Sequence, residues 1–399
     1  MEEVRAVFAS VGRCVKAQNG AGLAAEVTVQ KGLSARSVAW VLQSKGQVEA
    51  MGVEVCGEKW GVVAAKTVCG RAGYEAERAD IVYDSLVGAY NALLNVLREE
   101  GGWVVPAVRV MTIEARVAAE RADAGGQETV REVEATLKKG FSACWTDRAG
   151  KRVATLYVVS QLMKIYFRLY LVKLAQPLIR SLEAKPLEWS QFPKGDVVMY
   201  RYFVGRLRMF EDQYAAAEEH LEAAFSKCRK DAIRNKRAIL AFLLPIRLRR
   251  GVLPTQKLLE KYGFVDDVGP LVAAIKSGDA RSFERHLERH QLRFVKRGTF
   301  LLIEKCKILV YRSLLKKIYL INNRTAQLKL DLFATALAAL STTTPPPDPD
   351  DVECLVANLM YKNLVKGYIS HTKQTLVLSK KDPFPHLASS FGTGGGGSF

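Results

Sequence analysis

The stretch that decides the fold covers residues 348–385 and reads DPDDVECLVANLMYKNLVKGYISHTKQTLVLSKKDPFP. Its first half predicts a helix, because its apolar residues recur at the 3.6-residue period of one helix face. Either Asp350 or Asp351 can cap the start of this helix. The residues of the apolar face are Val352, Leu355, Val356, Leu359 and Met360.

The second half of the stretch predicts a β-hairpin. Residues 367–370 and 375–378 are rich in β-prone side chains, and the polar residues 371–374 separate them. A helix followed directly by a two-stranded wing is the back half of a winged helix. The sequence therefore predicts a winged helix made of helices 308–320, 331–340 and 352–362 and this wing. Taken alone, the stretch leaves open a small packing module with a charged surface.

The positive charge of the chain is unevenly placed. The 399 residues carry a net charge of +18, yet residues 1–150 hold 18 Lys and Arg against 19 Asp and Glu. The remaining residues hold 41 against 22, and residues 281–330 alone hold 13 against 3. A neutral part joined to a strongly basic part indicates a polyanionic partner, nucleic acid first. An acidic protein segment or an anionic membrane surface would also fit this charge.

Helical periodicity dominates the region before the winged helix. Residues 81–97, 106–122, 128–144 and 156–182 predict helices, and Pro177 either starts a second helix or kinks the last of these. Residues 202–225 carry small or apolar side chains at the offsets of a tetratricopeptide (TPR) helix pair. These residues are Gly205, Tyr214, Ala217, Leu221 and Ala224. The pattern predicts an α-solenoid.

The sequence as a whole predicts an all-α, TPR-like helical-repeat solenoid followed by a C-terminal winged helix. We expect a poorly defined helical region over residues 1–75 and TPR-like repeats over 76–250. Residues 251–387 would form the C-terminal domain, with the winged helix at about 305–382, and residues 388–399 a flexible Gly-rich tail. The seven cysteines are scattered, which is typical of reduced thiols in a cytosolic or nuclear protein. No secretion signal and no membrane insertion are expected.

No catalytic constellation is recognisable, so we expect neither an enzyme nor a cofactor. The chain has no phosphate-binding loop, nucleophile elbow or dinucleotide fingerprint. His286 and His290 have the i, i+4 spacing of a metal-binding pair, but Leu287 stands where a zinc protease needs Glu. Three arginines surround the pair, so no metal site is predicted.

Basic side chains are the remaining candidates for a functional site. Lys305, Arg312 and Lys316 are spaced by seven and four residues, which places them on one stripe of a predicted helix, with Lys317 beside them. The wing adds Lys366, Lys373, Lys380 and Lys381. These eight residues are the predicted nucleic-acid-binding set, because lysine and arginine neutralise phosphates. The acidic start of the preceding helix argues against a base-reading role.

These segments together resemble the PCI domain proteins, and more narrowly the PCI domain-containing protein 2 family. The resemblance covers roughly residues 80–387, and the first 75 residues and the tail depart from it. The matching segments are QLMKIYF (161–167), PLIRSL (177–182), YFVGRLRMFEDQYAAAEEHL (202–221), NKRAILAFLLP (235–245), LPTQKLLEKY (253–262), FLLIEKCKILVYRSLLKKIYL (300–320) and KGYISHTKQTLVLSKKDPFP (366–385).

The resemblance implies a non-enzymatic scaffold or adaptor subunit of the complex that links transcription to mRNA export. It implies pairing of the winged helix with a larger PCI scaffold of the germinal-centre-associated nuclear protein type. It also implies a small, acidic, mostly disordered subunit shared with the proteasome lid, and a basic platform for RNA and possibly DNA. The expected location is the nucleus, at the nuclear pore, with some protein in the cytoplasm. The alternative is a PCI subunit of a proteasome-lid or signalosome-like assembly that makes only protein contacts.

Overall fold

The computed structural model describes residues 1–123, 127–146, 150–184, 187–340 and 348–387. By its internal contacts the chain divides into two compact units, Met1–Val204 and Gly205–Phe399. The sequence boundaries after residues 75 and 250 do not coincide with this division and stay predictions. The predicted Gly-rich tail lies outside the described residues.

The first unit begins with five well-packed helices, although the helical signal of these residues is weak. They are α1 (Glu2–Lys16), α2 (Gly20–Glu26), α3 (Ala35–Gln43), α4 (Lys45–Cys56) and α5 (Glu58–Glu75). Glycine explains the weak signal, because α4 and α5 approach each other at Gly52 and Gly61. A Cβ added at Gly61 would lie 2.5 Å from the Val53 backbone. Helices that pack through glycine have few apolar side chains at the contact, so their sequence shows no clear hydrophobic period.

The rest of the first unit follows the helical pattern closely. Its helices are α6 (Ala79–Val96), α7 (Val105–Ala122), α8 (Glu128–Trp145), α9 (Thr155–Arg168) and α10 (Ala175–Glu183), with 3₁₀ turns at Gly102–Val104, Lys151–Ala154, Val172–Leu174 and Trp189–Gln191. The long apolar region breaks between Arg168 and Ala175, and Pro177 lies in the first turn of α10. Of the two alternatives for Pro177, the start of a second helix is therefore confirmed.

The TPR-like segment forms a pair of consecutive helices that contact each other. It consists of α11 (Lys194–Phe210) and α12 (Tyr214–Lys227) and is followed by α13 (Ile233–Arg249). Ala217, Leu221 and Ala224 are fully buried on α12. Gly205 allows close approach, because an added Cβ there would lie 2.6 Å from Cγ of Leu221. Helical repeats in front of a winged helix are thus confirmed as the architecture.

Five helices connect α13 to the winged helix. They are α14 (Gln256–Tyr262), α15 (Val265–Ser277), α16 (Ala280–Arg289), α17 (Gln291–Arg297) and α18 (Phe300–Glu304). Gly263, Gly278 and Gly298 end three of them in the left-handed conformation, as glycine does at helix C-termini. A further break follows α18, so the expected continuous helix through Lys305 and Arg312 is wrong.

The winged helix is formed by three helices and three strands. They are α19 (Lys307–Ile321), β1 (Gln327–Lys329), α20 (Leu330–Leu340), α21 (Pro349–Tyr361), β2 (Gly367–Ser370) and β3 (Thr375–Leu378). The sheet is antiparallel with strand order β1-β3-β2, so β3 is central. The sequence predicted the hairpin β2–β3 but not β1, which is only three residues long. Across the described part of the chain, none of the helices is both long and apolar enough to cross a membrane.

Candidate nucleic-acid interface

The helix that precedes the wing is fixed at its start by a reciprocal cap. The Asp348 carboxylate accepts from the backbone N–H of Asp351, and the Asp351 side chain accepts from the backbone N–H of Asp348. Pro349 occupies the first turn, where its missing N–H costs nothing. The cap lies two residues earlier than Asp350, the first cap residue considered from sequence. Val352, Val356 and Leu359 are fully buried, as the apolar period predicts.

The strand register assigns each side chain of the sheet to one of its two faces. Ile369 lies opposite Leu376, which lies opposite Leu328, and both leucines are buried. Tyr368 lies opposite Val377, which lies opposite Gln327. Because directly opposite residues share a face and neighbours alternate, Tyr368 is on the outer face. Tyr368 is accordingly 62% exposed.

Arg312 does not belong to the exposed stripe that the sequence predicted. Arg312 is only 7% exposed. Its Nε donates to the carbonyl of Leu364 at 3.1 Å, and its Nη2 donates to the carbonyls of Phe384 at 3.3 Å and Pro385 at 2.6 Å. Burial lowers the pKa of the guanidinium, and the charge of Asp382 partly opposes this. Arg312 therefore joins α19 to the segments on both sides of the wing and offers nothing to a phosphate.

Lys305 is exposed, but it is held by the helix pair rather than by the winged helix. Its Nζ lies 3.1 Å from Oδ1 of Asp212 and 3.3 Å from the Tyr214 hydroxyl. Partial burial lowers its pKa, but the hydrogen bonds to Asp212 and Tyr214 outweigh that effect and leave the pKa above its usual value. The break after α18 separates it from Lys316. The structure therefore does not place Lys305 with the other candidates.

Lys316 and Lys317 are exposed on α19. Lys316 lies one turn from Arg312 and one turn from Tyr319, whose ring packs against Phe384 at 5.5 Å between centroids. The helical period thus places Lys316 on the side of α19 that contacts the segment after the wing. Lys317 points about 100° away around the same helix.

The four wing lysines are all exposed and form two groups, one at each end of the hairpin. Lys366, Lys380 and Lys381 lie at the end where β2 starts and β3 finishes, because Ser379 N–H donates to the Lys366 carbonyl. Lys373 lies in the turn at the opposite end. In the described part of the chain, Lys366 is the member with an acidic neighbour, Asp382 at 3.7 Å.

An acidic contact lies beside the turn that carries Lys373. His371 Nδ1 lies 2.7 Å from Oε2 of Glu353 on α21. The hydrogen bond to Glu353, aided by its charge and that of Asp350, raises the pKa of His371. The protonated form thus persists to a higher pH than in an isolated histidine. The charge of Glu353 is directed at His371, so it is partly compensated at the wing.

Two exposed residues of the sheet were missed from sequence, Lys329 and Tyr368. Lys329 lies in the outer row next to Tyr368, because it pairs with Thr375, which pairs with Ser370. The short strand β1 carries it there, and only the strand register reveals this. No other sequence signal could have joined Lys329 to a wing nearly forty residues later.

The histidine pair lies at the end of α16. The rings of His286 and His290 are tilted against each other with their centroids 4.5 Å apart, and His286 Nε2 contacts the carbonyl of Asp267 at 3.0 Å. Desolvation lowers the pKa of His286. Among the residues that the structure describes, no group of three or more His, Cys, Asp or Glu is arranged to hold a metal ion.

Known proteins are similar to this chain in sequence. The PCI domain family matches residues 287–380, which run from α16 to beyond β3. Enhanced ethylene response protein 5 of Arabidopsis thaliana is 38% identical over 310 residues, 74% of each chain. PCI domain-containing protein 2 of Danio rerio is 35% identical over 322 residues, 77% of this chain and 78% of that protein. The chain belongs to the PCI domain-containing protein 2 family.

Membership of this family identifies the winged helix described above as part of a PCI domain. The family is one of scaffold subunits that assemble with others, which gives this chain its broad class. A Protein CSN12 homolog of Gibberella zeae is also related, 34% identical over 284 residues, 65% of this chain and 62% of that protein.

Proposed function

We propose that the chain is a non-enzymatic adaptor of a transcription-coupled mRNA-export complex and binds RNA or DNA through its winged helix. The observation that carries the proposal is the set of exposed lysines at both ends of the wing. Five lysines surround a sheet only three strands wide, at Lys329, Lys366, Lys373, Lys380 and Lys381. Such a density of positive charge fits the phosphate contacts that supply most sequence-independent affinity.

In this proposal the winged helix pairs with that of a larger PCI scaffold, of the germinal-centre-associated nuclear protein type. The paired domains extend the basic surface along the nucleic acid. The small acidic subunit binds other positive residues of the chain. The complex acts in the nucleus at the nuclear pore, with a fraction in the cytoplasm. Recovery of a proteasome lid instead of this scaffold from nuclear extract would overturn the proposal.

The test is charge reversal of the wing. Replacing Lys366, Lys373, Lys380 and Lys381 by Glu should weaken binding of single-stranded RNA by about tenfold or more, because several phosphate contacts become repulsions. Fluorescence anisotropy with the scaffold partner present measures this. The matched control reverses four exposed basic residues of the first unit, Lys16, Arg36, Lys45 and Lys139. Equal affinity of the wing variant and the unaltered chain would disprove the platform.

A second candidate is a PCI subunit of a signalosome-like or lid-like assembly that makes only protein contacts. The related CSN12 homolog favours it, as do exposed apolar side chains on α17 and α18. Leu292 is 76% and Leu301 67% exposed. Replacing both by Ser should release a protein partner without changing RNA affinity.

A further inference from the structure

The outer face of the sheet combines an exposed aromatic ring with basic residues on both sides. One row across the three strands is Gln327, Val377 and Tyr368, and the next is Lys329, Thr375 and Ser370. The opposite face is buried through Leu328, Leu376 and Leu378. The rigid inner packing therefore fixes the backbone beneath the outer row.

Tyr368 is unusual for a β-strand residue, because its ring is largely exposed beside a half-buried Val377. The apolar surface of this ring stays in contact with water unless a ligand covers it. Its neighbours along the row are a valine and an amide side chain, so the row is flat and uncharged. These are the properties of a platform on which a planar group can stack.

Charge flanks this platform along the strand direction. Lys366 directly precedes β2, two residues before Tyr368, and Lys329 lies in the row on the other side. The four residue steps from 366 to 370 span about 13 Å at the usual rise of about 3.3 Å per residue. A chain with alternating planar rings and negative groups can therefore place a ring over Tyr368 and an anion near a lysine on either side.

We propose that this face binds a single strand of nucleic acid, with one base stacked on Tyr368 and its flanking phosphates at Lys366 and Lys329. The inference rests on the proposed function and specifies its ligand as single-stranded. In a duplex the base faces are already stacked on each other and cannot cover Tyr368. Stacking tolerates any base, which agrees with an interface that has few groups for reading base edges.

The test compares Tyr368→Ala and Tyr368→Phe in the full chain with its scaffold partner. The Ala variant should bind a uridine oligonucleotide about five- to a hundredfold more weakly, the usual loss for one stacked base. The Phe variant should stay within about twofold, because phenylalanine keeps the aromatic face. Affinity for a duplex of the same length should be unchanged in both variants. Tyr361→Ala is the matched control, since Tyr361 is 77% exposed but lies at the end of α21, off the sheet.

The salt dependence separates this inference from the proposed function. Tyr368→Ala removes no charge, so its slope of log affinity against log salt should equal that of the unaltered chain. Lys329→Glu should weaken binding and lower the slope. If the four-lysine reversal weakens RNA binding but Tyr368→Ala does not, the stacking inference fails and the proposed function stands. If Tyr368→Ala instead releases the scaffold partner, or weakens duplex binding equally, the ring serves another contact and the inference is overturned.

Discussion

At the scale of single residues, Arg312 lies on a correctly predicted helix but does not have the role that its spacing suggested. Its spacing from Lys316 suggested one basic stripe, yet its guanidinium serves three backbone carbonyls. A sequence period gives the direction of a side chain but not what lies there. Lys316 and Arg312 share a face of α19, and only Lys316 reaches solvent.

We expect Arg312→Met to destabilise the winged helix by about 3 kcal/mol, because it leaves buried carbonyls without a donor. Urea unfolding combined with amide hydrogen exchange on β2 and β3 measures the loss. Lys316→Met is the matched control and should change stability by less than about 0.5 kcal/mol, since it is a surface substitution. Equal protection of β2 and β3 in the Arg312 variant would contradict the role assigned to this residue.

At the scale of elements, the long periodic helices and the TPR-like pair with Gly205 were predictable, but the glycine-packed helices α4 and α5 were not. Helices α6 to α8 match the sequence prediction within two residues at their ends. The early helices escaped because Gly52 and Gly61 replace the apolar contrast with backbone contact. Strand β1 was not predicted because three residues are too few to establish a period-2 pattern, although their burial alternates in the sheet.

The α11–α12 pair offers a direct test of a glycine contact. We expect Gly205→Ala to destabilise the chain by about 1 to 2 kcal/mol, because its Cβ would meet Leu221 Cγ at 2.6 Å. The cost of this steric contact exceeds the gain in helix propensity from replacing glycine, which is about 0.5 to 1 kcal/mol. Thermal unfolding measures both effects.

Gly195→Ala on the same helix is the control. An added Cβ there meets nothing within 4 Å. This variant should be neutral or slightly more stable, since only the propensity changes. A stabilised Gly205 variant would show that Leu221 moves aside without cost.

At the scale of the whole molecule, the composition revealed the charge asymmetry but not which basic residues form the candidate interface. Counting lysines located the excess in the C-terminal half, but the candidate set mixed a buried arginine, a lysine paired with Asp212 and a true wing cluster. Separating them required the strand register and the burial of each side chain. The candidate residues that remain are those that the fold leaves exposed around one small sheet.

The whole chain should therefore show strongly salt-dependent binding that comes from one unit. With at least four phosphates contacted, the slope of log affinity against log salt for single-stranded RNA should be about −3 or steeper. Reversal of the wing lysines should flatten this slope, whereas reversal of Lys16, Arg36, Lys45 and Lys139 should leave it unchanged. Titrations at several salt concentrations measure both. A slope that both variants flatten equally would indicate a diffuse charge effect.

The strand order β1-β3-β2 has a consequence for how the surface comes into being during synthesis. The last strand made is the central one, so neither earlier strand has a partner until β3 leaves the ribosome. Both pairings then close together, and the first of them spans about fifty residues of chain. A nascent chain that stops short of residue 375 displays no partial platform. The sheet face proposed to bind nucleic acid appears in a single step, as an all-or-none property of chains that have passed that point.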